Sequence, residues 1–136
     1  MRIVIDSYAW IEIFLGTKKG ESAMNVIANA EIALTPEIVL AEIARKYMRE
    51  GIGEKIIRER LERIAQSSEL SGLDNTTAIE SARTFLEIEN QAKKAKSKRK
   101  PSLFDAVILA TARMNDAKVV TGDEHFKGLE ETLSIG

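Results

Sequence analysis

Short runs rich in β-branched residues recur along the chain, separated by longer stretches whose apolar residues return every three or four positions. The runs fall at Arg2–Ile5, Glu31–Thr35, Glu69–Leu73, Lys118–Thr121 and Thr132–Ile135, each reading as a short strand. Between them, helical spacing is predicted over Tyr8–Leu15, Glu21–Asn29, Glu54–Gln66 and Leu103–Met114. Gly16 and Lys18-Lys19-Gly20 read as a loop. Thr35-Pro36 reads as a helix start, a hydroxyl cap followed by proline at the first helical position, with Gly51 as the stop. A long helix opens at Asp74 or Asn75 and carries Ala78, Ile79, Ala82, Phe85 and Leu86. Strands alternating with helices define an α/β class, because parallel strands can be joined only by long crossovers. The expectation is a mostly parallel sheet flanked by helices, with its ligands beyond the carboxyl ends of the strands.

At 136 residues this is one domain, 1–136, and 44% hydrophobic residues suffice for a core. Cysteine is absent, which removes disulfides, thiolate zinc sites and a cysteine nucleophile together. The opening MRIVIDSYAWIEIFLG is interrupted by Asp6 and Glu12 and reads as folded protein, not as a signal peptide. No apolar stretch approaches the roughly 20 residues needed to cross a bilayer, so a cytoplasmic protein without membrane contact is expected. Twenty basic residues against 21 acidic ones give a net charge of −1, which does not advertise a nucleic-acid binder. The distribution says more. Lys93, Lys94, Lys96, Lys98, Arg99 and Lys100 form one basic block.

Four acids stand at positions a sheet could gather. Asp6 follows Ile3-Val4-Ile5, and Asp123 follows Val119-Val120-Thr121-Gly122, both at strand ends. Asp105 falls in the first turn of a helix, where the dipole favours a carboxylate. Glu42 interrupts the apolar run Leu40, Ala41, Ile43 and Ala44. Each has a plainer reading: Asp6 and Asp105 as helix caps, Glu42 as a partner of Arg45, Asp123 as a turn residue. Gathered carboxylates repel one another unless something compensates, and a divalent cation is the natural compensation. Oxygen ligands, no cysteine and the single His125 point to Mg²⁺ or Mn²⁺. Such ions serve phosphodiester hydrolysis. Neither GxGxxG nor GxxxxGK[ST] is present, so a nucleotide-binding loop is not expected.

Asp6-Ser7 at the first strand end, Glu42 within PEIVLAEIARKY, Asp105 within SLFDAVILATA, and VVTGDEHF around Asp123 together resemble the PIN domain. Within that family the chain most resembles the small VapC-type ribonuclease toxins of toxin–antitoxin pairs, and the resemblance runs essentially from end to end. The resemblance implies a five-stranded parallel sheet flanked by helices, with Asp6, Glu42, Asp105 and Asp123 holding Mg²⁺ or Mn²⁺ directly or through water. Ser7 and Thr121 match hydroxyl positions that support the acids. Glu37 lies near Glu42, but in a first helical turn where capping chemistry expects an acid, so Glu42 is preferred. The implied activity is endoribonuclease cleavage of RNA, with a cognate antitoxin and a homodimer as partners. Tyr8–Leu15 and Ile57–Ile64 are the apolar segments that could supply those contacts.

The basic block reads either as a solvated loop or as phosphate-binding, through Lys96, Lys98, Arg99 and Lys100. His125 reads as structural, alongside an inward Phe126, and Glu124 stands outside the first rank. Trp10, Phe14, Phe85 and Phe104 read as core or subunit contacts, since 5% aromatics without basic alternation is not a stacking platform. Three rival functions share the pattern in part: a PIN nuclease of RNA processing or quality control, a phosphate-receiving switch domain, and an inactive RNA-binding scaffold. A switch domain wants a lysine at a later strand end, where this chain offers Asp123.

Overall fold

A computed structural model describes residues 1–98, 100–122 and 131–135. Its elements run β1 (Arg2–Ile5), α1 (Ser7–Leu15), α2 (Lys18–Asn29), β2 (Ile32–Pro36), α3 (Glu37–Arg49), α4 (Glu54–Ser67), β3 (Glu69–Ser71), α5 (Asn75–Lys94), α6 (Leu103–Met114), β4 (Lys118–Thr121) and β5 (Thr132–Ser134). The five strands form one sheet in the order β3-β2-β1-β4-β5, and every pairing is parallel. From the central β1 the chain builds outward through β2 and β3, then crosses back to build β4 and β5 on the other side. The direction of winding therefore reverses between β1 and β4, where doubly wound sheets open a crevice at their carboxyl edge. Ile5 pairs in register with Val120, so Asp6 stands level with Thr121 across that reversal.

A parallel sheet covered on both faces needs strands that are apolar throughout, and Ile3, Val4, Ile5, Val119 and Val120 are fully buried. α6 is buried along seven consecutive residues, Ala106 to Ala112, which explains why its sequence is apolar on all sides. Arg113, at the end of α6, forks onto Glu87 of α5 (2.9 and 3.2 Å) and reaches Glu131 ahead of β5 (2.9 Å). These partly exposed ion pairs fix orientation more than they add stability.

Three local expectations are corrected. Thr35 does not cap α3. It ends up inside β2, with Glu37 opening the helix and no side-chain cap. Its hydroxyl is needed elsewhere: Trp10 Nε1 donates to Thr35 Oγ1 (3.1 Å), which lies 2.7 Å from Ser68 Oγ, and Ser68 donates to the Ile64 carbonyl (2.9 Å). Each hydroxyl has one proton, so the chain runs in one direction and ties α1, β2 and α4 together. Lys18-Lys19-Gly20 is helix, not loop, because Thr17 accepts from Gly20 N and caps α2. Gly20 is there for closeness, since a Cβ would sit 2.2 Å from the Glu12 carbonyl oxygen. The third correction concerns α5, which buries Thr77, Ser81 and Thr84, whereas Ile79 and Leu86 are 54% and 65% exposed. Small hydroxyl side chains let α5 approach α6 closely, and that contact outweighs the simple apolar stripe. On α4, Ile57 and Ile64 are buried, and Ala65 faces solvent.

Candidate active site

Asp6 leaves β1 in an extended conformation and begins α1, its Oδ1 accepting from Ala9 N at 2.9 Å. It is 2% exposed. Capping occupies only part of a carboxylate's capacity, about four acceptor positions, so a cap can also be a ligand. Asp105 stands at the third position of α6 in a reciprocal capping box: its amide donates to Ser102 Oγ (3.2 Å) and Ser102 N donates to its Oδ2 (3.0 Å). The box pins the carboxylate at the mouth of the helix. Glu42 lies mid-helix in α3, between the buried Val39 and Ile43, and its Oε1 atom is buried.

Glu42 and Asp105, 63 residues apart in sequence, line one groove of about 520 Å³. α1 forms its near wall through Ser7, Tyr8, Ile11, Leu15 and Glu12, whose carboxylate accepts from the Thr17 hydroxyl, and Lys46, Lys100 and Ser102 complete the rim. Ser7 lines the same groove as the two acids, directly after Asp6. Thr121 is buried at the end of β4, level with Asp6. Glu37 is exposed, with its carboxylate 3.9 Å from where a Gly72 Cβ would stand, and it does not line the groove. Asp123, Glu124, His125, Phe126 and Arg99 lie outside the described residues. Among the described residues, no three acidic side chains by themselves form a group that could hold a metal ion.

Of the basic block, Lys96, Lys98 and Lys100 are exposed, and Lys100 alone of these lines the acidic groove. Sequence reasoning missed Lys46, which lies one helical turn beyond Glu42 on the same face. That spacing was the available signal. Lys46 now binds Glu50 at 2.7 Å. It also missed Tyr8, whose ring packs so closely on Gly122 that a Cβ there would stand 2.4 Å from Cε1. Lys19 donates to the Tyr8 hydroxyl at 3.0 Å, and this hydrogen bond pushes the Lys19 ammonium above its ordinary value. Trp10 is core, as expected. Phe14 is half-buried, 6.2 Å from Trp10 between ring centroids, and Arg63 lies 5.4 Å from its own centroid. Phe104 is covered by Arg45, at 5.3 Å.

A fully parallel, doubly wound sheet with carboxylates at its reversal defines a class of α/β proteins that work at a crevice. Comparison with protein families matches the PIN domain over residues 3–131, and the chain belongs to that family. The 3-2-1-4-5 order also separates it from phosphate-receiving switch domains, whose sheets run 2-1-3-4-5. No curated protein sequence matches the chain. Among solved structures, it resembles VapBC2 from Rickettsia felis bound to a promoter DNA fragment, at 14% identity and TM-score 0.72, covering 98% of this chain and 97% of that one. A toxin–antitoxin complex from Klebsiella pneumoniae gives 16%, 0.70 and 98% of both chains. VapC20 of Mycobacterium tuberculosis, described as a toxin cleaving the sarcin–ricin loop, gives 17%, 0.63, 94% of this chain and 95% of that one. Identities this low establish a common fold. Among the described residues, no helix is long and apolar enough to cross a membrane.

Proposed function

We propose that this PIN domain is a metal-dependent endoribonuclease, the toxin of a toxin–antitoxin pair. The observation that carries the reading is that Glu42 and Asp105 line one groove with Ser7, the residue directly after Asp6, which follows β1 where the sheet reverses. The donor set is carboxylate oxygen, which suits a hard cation such as Mg²⁺ or Mn²⁺. Asp6, Glu42, Asp105 and Asp123 are the proposed ligands, with Ser7 and Thr121 in support. When bound, such an ion supplies charge neutralisation at a phosphate and acidification of water. The remaining work belongs to the chain. The capping box holds Asp105 in place before substrate arrives, so little ordering is left for the reaction. Lys46 and Lys100, on the rim, would meet the phosphates of a strand bound in the groove.

Two of these structural neighbours are toxin–antitoxin complexes, and one is described as a toxin cleaving the sarcin–ricin loop. For an antitoxin, the exposed Leu15, Met48 and Ile56 offer apolar contacts on α1, α3 and α4, helices that pack on one another. Leu15 also lines the acidic groove, so a segment covering it would obstruct substrate. The buried residues of Tyr8–Leu15 and Ile57–Ile64, namely Ala9, Trp10, Ile57 and Ile64, are spent on this chain's own core. Self-association would draw on Ile79 and Leu86, exposed on α5.

The test is incubation with tRNA, rRNA and single-stranded RNA under Mg²⁺, Mn²⁺ or chelator. Cleavage should need a divalent ion and disappear in Asp6→Asn and Asp105→Asn while both variants keep their circular dichroism. Full activity in either variant removes that residue from the site, and cleavage in chelator ends the metal reading.

A further inference from the structure

The far end of α5 encloses a second cavity, of about 500 Å³, outside the acidic groove. Phe85, Ala92 and Pro101 give it an apolar floor, and Lys93, Lys96 and Lys100 stand at its rim. Lys100 lines both cavities, so whatever occupies one lies within a single side chain's reach of the other. Glu89 also borders the second cavity and lies 3.8 Å from Lys93 in an exposed pair, leaving a net positive rim.

Lys96 is an anomaly in its own right. The Ser97 amide donates to the Ala92 carbonyl (3.0 Å) and the Lys96 amide to the Lys93 carbonyl (3.2 Å), the paired bonds of a Schellman helix end. That motif puts Lys96 at φ 52°, in the left-handed region where glycine is the favoured residue. A lysine held there at a conformational cost, and lining a cavity, is a local rule broken at a site.

We infer that this cavity is a nucleotide subsite for the RNA strand entering the acidic groove, with Phe85 against a base and Lys93, Lys96 and Lys100 against the flanking phosphates. A polyanion with flat apolar bases matches an aromatic floor and a cationic rim, and the shared lysine makes the two cavities one track. The subsite rests on the ribonuclease reading.

The experiment uses the full chain carrying Asp6→Asn, a fluorescein-labelled single-stranded RNA of twelve nucleotides, and anisotropy across a salt series. Lys96→Gly removes a cation and relieves the left-handed backbone, so its thermal midpoint should match or exceed the parent's. Its RNA affinity should nevertheless fall several-fold, with a salt slope shallower by about 0.7, the value for one lost phosphate contact on a single strand. Phe85→Leu keeps apolar bulk and should weaken binding about tenfold, in the range of a lost base stack. If the parent binds RNA and both variants bind equally well, the subsite is overturned and the nuclease reading stands. Unchanged RNA affinity with weakened self-association overturns it in favour of a protein contact. If the parent binds no RNA and the unaltered protein cuts none, both readings fall together.

Discussion

Gly122→Ala is the most informative small perturbation of the site, because the structure isolates a single cause for its effect. Gly122 does not have a positive φ, so alanine is allowed by the backbone. The obstacle is steric: the new Cβ would stand 2.4 Å from Tyr8 Cε1 and 2.9 Å from Cζ, whereas carbon atoms settle at roughly 3.5–4.0 Å. Ring or strand must shift by about 1 Å, and overpacking of this kind costs about 1–3 kcal/mol. The ring cannot swing away freely, since Lys19 holds its hydroxyl and its base is on α1. With a urea m-value of about 2 kcal/mol/M, a 2 kcal/mol loss lowers the unfolding midpoint by about 1 M. Tyr8→Ala removes the obstacle, so the double variant should be more stable than the two separate losses predict, with a coupling of at least about 1 kcal/mol. Cleavage should follow the same pattern, poor in Gly122→Ala and partly recovered in the double variant, because Gly122 leads directly into Asp123. Additivity within about 0.5 kcal/mol would refute the contact as the reason glycine stands at 122.

Thr35→Val should cost about 1–3 kcal/mol, because it strands the buried Trp10 indole N–H, and Thr35→Ser should recover most of it; equal chemical-denaturation midpoints for Thr35→Val and wild type would count against the hydroxyl chain. Asp74 caps α5, and its hydrogen bonds from Thr77 hold its carboxyl below the ordinary 3.8. A depressed carboxyl stabilises the fold above its unfolded pKa and stops doing so as pH falls through the folded value. Wild type and Asp74→Asn should therefore differ by a constant amount in stability above about pH 5, and the difference should change only in acid, as thermal melts across pH will show.

How far the chain could be read in advance depended on the range of the forces involved. Strand runs such as Arg2–Ile5 and Lys118–Thr121, and the cap at Asp74, are decided within a few residues, and all were legible. Thr35 was misread because local chemistry offers it a cap, while Trp10 and Ser68, distant in sequence, offer it a buried hydrogen-bond chain. Gly20 and Gly122 carry no local sign that a carbonyl or a tyrosine ring lies against them. α5 misled in another way: Ile79 and Leu86 face outward, while the small side chains of Thr77, Ser81 and Thr84 are the ones buried.

The order of short apolar runs and helical stretches determined an α/β domain with parallel strands, since alternation leaves few other ways to bury both faces of a sheet. The acids were likewise visible as residues out of keeping with their apolar surroundings. Which of them share a groove was decided only when β4 returned beside β1 and α3 closed over the carboxyl edge. That return sets Asp6 level with Thr121, and the meeting of α3 with the start of α6 sets Glu42 beside Asp105. Pairings over such separations depend on chain crossover and packing geometry, which no window of neighbouring residues contains.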